Sequence, residues 1–262
     1  MSRFVVGVDV GGTFTDVFVW DEAARAVTTA KVPSTRGDQS AGFAEGIRAR
    51  VGDLSEIATV IHGTTVGTNA LLERKGASTG IITTSGFRDV LEMRRRDRPR
   101  TWGLWGTFDP IVPRDLRREV AERTLADGTV ETPVALDEVE AEARALREAG
   151  CEAVCVFFIN GYANAGNEAR AVEAVRSLWP TPYVTAATEI VPEIREFERL
   201  STATLNAYLQ PVVSAYLDRV EGALAAGGFA GDVLIVQSNG GVMTIETAKR
   251  FPVRTALSGG GQ

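Results

Sequence analysis

The stretch FVVGVDV–GGTF–TDVFVW, residues 4–20, leaves little choice of local fold. Two short β-rich runs flank a turn too brief for anything but an antiparallel pair. A third run, AVTTAKV at 26–32, follows the turn DEAAR, so the spacing predicts a three-stranded antiparallel meander. Beyond it the pattern changes. SAGFAEGIRARV (40–51) reads as a helix, IATVIHG (57–63) as a buried strand, and TTVGTNALLERKG (64–76) as a helix with Thr64 or Thr65 at its N-cap and Gly76 at its stop. STGIITT (78–84) is a strand again. Such alternation predicts α/β architecture, with parallel strands added to the meander.

Residues 86–135 are the least regular part, containing RRRDRPRTWGLWG and a hairpin pattern, REVAERTL–ADG–TVETPV. LDEVEAEARALREAG (136–150) is a helix with Asp137 and Glu140 as a capping box and Gly150 at its end. AVCVFFI (153–159) is a buried strand, ARAVEAVRSLW (169–179) a helix and PYVTAA (182–187) a strand. From 193 to 226 a helical pattern carries Pro211 in its middle, where the missing amide hydrogen predicts a kink or a break. The strand DVLIVQ, the polar turn SNGG, a short helix and the tail TALSGGGQ follow. Strands at 4–10, 15–20, 26–32, 57–62, 78–84, 153–159 and 182–187 are expected in one mixed sheet, with helices covering both faces.

Composition narrows the class. With 262 residues, one large domain or two unequal ones are expected. At 44% hydrophobic and 24% charged the chain reads as soluble and globular, and a net charge of −6 argues against nucleic acid as a partner. Cys151 and Cys155 stand four apart in an apolar run, which makes them small core residues of a reducing, cytoplasmic protein. No secretory signal is visible, and no apolar run approaches the ~18 residues that span a membrane.

Five stretches could carry chemistry. In GVDVGGTFTD, Gly11 and Gly12 let a strand end turn sharply and present amides to an anion, and Thr13 and Thr15 add hydroxyls. Asp9 would project beside the same pocket, to hold a hydrated magnesium ion or take a proton. The plain alternative is a hairpin whose threonines are strand formers; no G-x-x-x-x-G-K-[ST] loop occurs. HGTTVGTN (62–69) follows a buried strand and opens a helix. His62, the single histidine, is a structural hydrogen-bonder or a catalyst, and with two distant cysteines it makes no zinc site. RRRDRPR (94–100) is an anion clamp or a solvated basic loop. In PEIREFERL, Glu193, Arg195, Glu196 and Arg199 read as ion pairs on an exposed helical face. QSNGG (237–241) is a polar turn of the kind that borders α/β ligand sites.

Taken in order, DVGGTFTD, HGTTVGTNALLER, TTSGFRDVLEM with Arg95, Arg98 and Pro99, PEIREFERLSTATLNAYLQP, and QSNGG closely resemble the N-terminal half of the hydantoinase A/oxoprolinase family, which includes ATP-dependent ketone carboxylase subunits. The resemblance implies a ribonuclease H-like fold of the actin–hexokinase type, a mixed sheet with helices on both faces and an irregular insertion near 86–150. It places an N-terminal lobe at 1–190 and the start of the following hydantoinase A region at 191–262. It implies that ATP, with Mg2+ held through water by Asp9, activates a small cyclic amide of the hydantoin or oxoproline type by phosphorylation. A ketone carboxylase subunit and a non-catalytic nucleotide-binding fragment are the alternatives. By the same resemblance Asp9 and Arg98 are catalytic. Gly11, Gly12, Thr13, Thr15, Asp16, Gly63, Thr64, Thr65, Asn69, Ser238, Asn239 and Gly240 hold the nucleotide, and Arg95, Arg98 and His62 meet the substrate. Arg98 is expected on the cleft that Asp9 borders. A hydantoinase B-like second subunit or domain is the implied partner, and a homo-oligomer is compatible. Family chains continue into a second phosphate loop, introduced by an SGPAGG-like segment. Here TALSGGGQ carries Gly260 in place of that proline, and the sequence reads as a truncated chain. Taken alone, it is expected to bind ATP weakly or not at all and to show no substrate-dependent hydrolysis.

Overall fold

The computed structural model describes residues 4–11, 14–33, 39–95, 106 and 108–256. They form two compact units, Met1–Lys75 with Val212–Gln262, and Gly76–Pro211.

The first unit opens with the expected meander. β1 (Phe4–Val10), β2 (Phe14–Asp21) and β3 (Ala26–Pro33) pair antiparallel. After α1 (Gln39–Val51), β4 (Ile57–Thr64) returns parallel to β1. α2 (Val66–Leu72) is shorter than the expected helix over 64–76. Valines 6, 8, 10, 17 and 19 are buried with Phe43 and Ile47 of α1, as the two-residue period of a pleated strand requires.

The second unit holds β5 (Thr79–Thr84), α3 (Val90–Met93), β6 (Arg117–Val120), β7 (Arg123–Thr124), β8 (Val130–Thr132), α4 (Leu136–Glu148), β9 (Ala153–Phe157), α5 (Gly166–Leu178), β10 (Val184–Ala186) and α6 (Ala187–Ile190). Its sheet is wholly parallel, in the order β10-β9-β5-β6. The seven expected strands therefore divide over two sheets rather than one. The hairpin reading also changes. β6 joins the parallel sheet, and only the two-stranded β7–β8 ribbon remains a hairpin. Helices do cover both faces here. Ile82, Val154 and Val156 pack with Val139, Leu146 and Val175 on one side. Ile81, Cys155 and Phe157 pack with Leu91, Leu200 and Ala203 on the other. Cys151 and Cys155 are buried, as expected, and burial pushes both thiols up from their ordinary pKa.

Gly150 ends α4 at φ 84°, but the capping box does not form. Glu138, not Asp137, is engaged, accepting from the Ala121 amide at 2.7 Å. Of the kink or break expected at Pro211, the break does not occur: the long helix α7 (Glu196–Ala226) runs continuously through it. Arg199, expected on an exposed face, is 1% exposed and stands 3.7 Å from the equally buried Glu168. Glu168 also accepts from the Phe158 amide and from the amide and hydroxyl of Thr188. Gly161 is a glycine because a Cβ there would lie about 3.0 Å from the Arg199 guanidinium.

The chain then completes the first unit with β11 (Asp232–Val236), β12 (Val242–Thr244) and α8 (Ile245–Arg250). β11 lies parallel to β4, making a six-stranded mixed sheet in the order β12-β11-β4-β1-β2-β3. Tyr216, Leu217, Val220 and Leu224 of α7 are buried in this unit. The opposite face of the meander carries Phe14, Phe18, Trp20 and Val27, which are 38–61% exposed. The expected cover of helices on both faces thus holds for the second unit and not for this meander among the described residues.

Candidate functional site

β1, β4 and β11 are adjacent and parallel, so their carboxyl ends share one edge of the first unit's sheet. That edge gathers three turns far apart in sequence: the one after Val10, the Thr64–Val66 turn into α2, and Gln237–Gly241 between β11 and β12. β1 also marks a reversal of strand order, with β2 on one side and β4 on the other, and such points are where open α/β sheets bind ligands.

Asp9 and Asp16 are opposite each other in the β1–β2 register and share a face. Two carboxylates so placed repel. Lys31, opposite Asp16 on β3, offsets one of them with its Nζ 3.4 Å from Asp16 Oδ1. Asp9 is exposed and makes no hydrogen bond or ion pair among the described residues. Its carboxylate lies over Gly63, where a Cβ would stand 3.1 Å from Asp9 Oδ1. Glycine at 63 keeps that space open. No group of three metal-ligating side chains occurs among the described residues. An open carboxylate with one neighbouring acid suits Mg2+ held mostly by water and phosphate oxygens.

Several expected side chains serve the edge differently. Gly11 donates its amide to the Phe14 carbonyl at 3.0 Å, which closes the turn. Thr65 donates to the Val10 carbonyl at 3.4 Å and accepts from Asn69 at 3.3 Å, tying α2 to β1. Asn239 accepts from the Gly241 amide, and Gly240 adopts φ 85°, the left-handed backbone that glycine tolerates. Ser238 spends both its hydroxyl and its amide on the Arg254 carbonyl, at 2.9 and 2.8 Å. Thr15 and Thr64 are 1% and 2% exposed, on the core face shared with Val10 and Val17. The pleat that aims Asp9 outward turns them inward, so their hydroxyls are structural; Thr64 accepts from the Val66 amide. Gly12, Thr13 and Arg98 lie outside the described residues, so the expectation for Arg98 falls there too.

His62 is the clearest correction. The ring is fully buried, edge-on to Phe43, where no substrate reaches it. Nδ1 donates to the Val8 carbonyl at 3.3 Å, because a carbonyl only accepts, and Nε2 then accepts from Tyr216 Oη at 2.9 Å. Burial lowers the pKa from 6.5 to about 4, opposed by the Val8 hydrogen bond. Of the other expected residues, Arg95 is placed in the second unit, exposed and 2.5 Å from Glu198. The sequence reading missed Lys31, although its opposition to Asp16 follows from the meander's alternation.

A mixed sheet whose parallel strands end together in glycine- and threonine-rich turns, beside an open aspartate, defines an actin–hexokinase-like α/β protein. The chain belongs to the hydantoinase/oxoprolinase family. Residues 5–179 match the family's N-terminal region and residues 199–260 the following hydantoinase/oxoprolinase region. The caprolactamase subunit alpha of Pseudomonas jessenii is 33% identical over 92% of this chain and 36% of its own length. The solved structure of that ATP-dependent caprolactamase superposes with a TM-score of 0.81 at 32% identity, over 91% of this chain and 36% of that one. The acetophenone carboxylase gamma subunit of Aromatoleum aromaticum is 30% identical over 97% of this chain and 37% of its own. A nucleotide-free acetone carboxylase structure, from work on ATP-dependent acetone carboxylation, superposes with a TM-score of 0.83 at 27% identity, over 99% of this chain and 39% of that one. The chain spans less than two-fifths of the length of these relatives. No described helix is long and apolar enough to cross a membrane.

Proposed function

We propose that this chain is the first phosphate-binding lobe of an ATP-dependent hydrolase that phosphorylates and opens a cyclic amide. One observation carries the reading: the carboxyl ends of β1, β4 and β11 converge on one edge, where Asp9 stands over Gly63 with no hydrogen bond or ion pair among the described residues. The likeness to an ATP-dependent caprolactamase supports amide chemistry.

In this reaction the amide oxygen takes the γ-phosphoryl group and ADP leaves. Water then adds to the activated carbon, the ring C–N bond breaks with the nitrogen leaving as a protonated amine, and a second water hydrolyses the resulting acyl phosphate to carboxylate and phosphate. Positioning and charge stabilisation do most of the work in phosphoryl transfer. The strand-end turns position the phosphates, with Gly12 and Thr13 contributing to the first. Asp9 would hold Mg2+ through water, and the ion, when bound, would supply neutralisation of phosphate charge. Lys31 keeps Asp16 from competing for that ion. Arg95 and Arg98 serve the substrate. The two family regions meet near residue 190, and the partner is a hydantoinase B-like subunit in the cytoplasm, alone or in a homo-oligomer. The relatives' names, subunits alpha and gamma, support a multi-subunit setting. A ketone carboxylase subunit is the second reading, favoured by the acetone and acetophenone carboxylase likenesses.

The test is phosphate release by this chain completed with the remaining region of the family and the second subunit. Release stimulated by hydantoin, oxoproline or caprolactam supports the hydrolase. Release that needs a ketone and bicarbonate instead transfers the assignment to the carboxylase. Stimulation by neither contradicts both.

A further inference from the structure

Among the described residues, the first unit's sheet has one face packed and one face bare. Phe43 of α1 and Tyr216 of α7 both reach the buried His62 ring, so these two helices share one face of the sheet. Val6, Val8, Val17, Val60 and Ile235 are buried on it. Successive side chains on a strand alternate, so the residues between these line the other face. Register sets that face in rows. Val27, Trp20 and Val5 make the first, and Phe18, Gly7, Ile61 and Leu234 the second. None of these seven is buried, and Phe18, Trp20 and Val27 are 51%, 38% and 61% exposed. Lys31, Asp16, Asp9 and Gly63 make the third row, at the phosphate edge.

Two features mark this face as one that is covered in the working protein. β1, β4 and β11 are parallel, and parallel strands are stable with both faces packed, as they are in the second unit's sheet. Gly7 is the second feature. It lies in mid-strand within the second row, and a Cβ there would meet only the Phe18 Cβ, at an ordinary 3.7 Å. Packing inside this chain therefore does not call for glycine, which weakens a strand. A mid-strand glycine of this kind leaves room for another backbone to approach closely.

We propose that a helix from the rest of the family chain lies across this face, over Gly7, with an apolar stripe against Phe18, Trp20 and Val27. The caprolactamase and acetone carboxylase structures hold this fold as 36% and 39% of one chain, so most of each polypeptide lies outside the shared part. Joined in the same polypeptide, that remainder meets the face at high effective concentration. A helix is the element that packs on a parallel sheet. A further strand is discouraged, because the edge strand β3 closes with Lys31 and Pro33. The third row marks where the apolar stripe stops, since burying Asp9 beside Asp16 without a partner is costly. The inference rests on membership of the family and not on which reaction the edge performs.

Thiol labelling tests this without any assay of turnover. Cys151 and Cys155 are buried, so Val27→Cys supplies the reactive thiol, and Glu148→Cys on α4 is the exposed reference. In the 262-residue chain both should react at the rate of a free thiol. In the chain completed with the remaining region of the family, Val27→Cys should react at least tenfold more slowly, with Glu148→Cys unchanged. Phe18→Glu should leave the melting temperature of the 262-residue chain unaltered, because Phe18 is half-exposed there. In the completed chain the same substitution should restore labelling of Val27→Cys. Equal rates for Val27→Cys in the two chains, equal slowing at both positions, or protection that survives Phe18→Glu would overturn the proposal. So would protection that needs the second subunit, or that grows with the concentration of the 262-residue chain as a dimer forms, since either gives the face to another occupant.

Discussion

Replacing Asp9 by asparagine is expected to cut stimulated ATP turnover in the completed enzyme roughly a hundred- to a thousandfold, the range seen when a preorganised electrostatic group is removed. The fold should not register the change. Asp9 is exposed, makes no hydrogen bond or ion pair among the described residues and faces a second carboxylate in the β1–β2 register. Losing its charge removes a repulsion, so the melting temperature should hold or rise slightly. Asp16→Asn is the matched control on the same face. Its carboxylate is already offset by Lys31 at 3.4 Å, so its turnover should fall less. Steady-state turnover beside thermal denaturation checks both, and an Asp9→Asn enzyme that turns over like the wild type removes Asp9 from the mechanism.

The second large effect is on stability, through His62. Burial holds its folded pKa near 4, against 6.5 for the exposed side chain. Above pH 6.5 the ring is neutral in both states and the fold bears no penalty. Below it the unfolded chain takes up a proton that the folded chain refuses, so stability falls as the pH drops from 6.5 towards 4. At 1.36 kcal/mol per pKa unit, the loss is about 2 kcal/mol by pH 5 and about 3 kcal/mol by pH 4. Other groups titrate there too, among them Glu168, whose pKa is raised by burial and whose contribution has the opposite sign. The contribution of His62 is therefore read as a difference. Urea unfolding of wild type and His62→Gln, from pH 7.5 to 4, should show the wild type losing this much more than the variant. Parallel pH profiles would contradict the buried neutral histidine.

The parts legible in the sequence were those that depend on neighbours in the chain. The meander follows from alternation over 4–32, and Gly150 and Gly240 occupy the left-handed positions that helix stops and tight turns need. What the sequence could not show depends on distant pairing. β5 lies beside β9, some seventy residues away, and nothing local separates that sheet from the one around β1. The facing of one residue is hidden for the same reason. His62, Thr15 and Thr64 sit among chemically suggestive neighbours, yet the pleat turns them into the core while Asp9 and Asp16 face out. Arg199 carries the spacing of a surface ion pair, but its helix is packed at that point and its partner, Glu168, lies on another element. The left-handed backbone of Arg195, at φ 89°, has no sequence signal, because arginine is not the residue such a conformation selects.

The central claim is that the edge formed by β1, β4 and β11 receives nucleotide phosphates, and mapping where Mg·ATP touches the chain tests it most directly. Isotopically labelled protein is titrated with Mg·ATP at millimolar concentrations, where even weak binding by this lobe moves backbone amide resonances. The account predicts saturable shifts at Gly11, at Thr64 to Val66 and at Ser238 to Gly241, weakened in Asp9→Asn. Shifts confined to other surfaces, or no shift at these three turns, would contradict it.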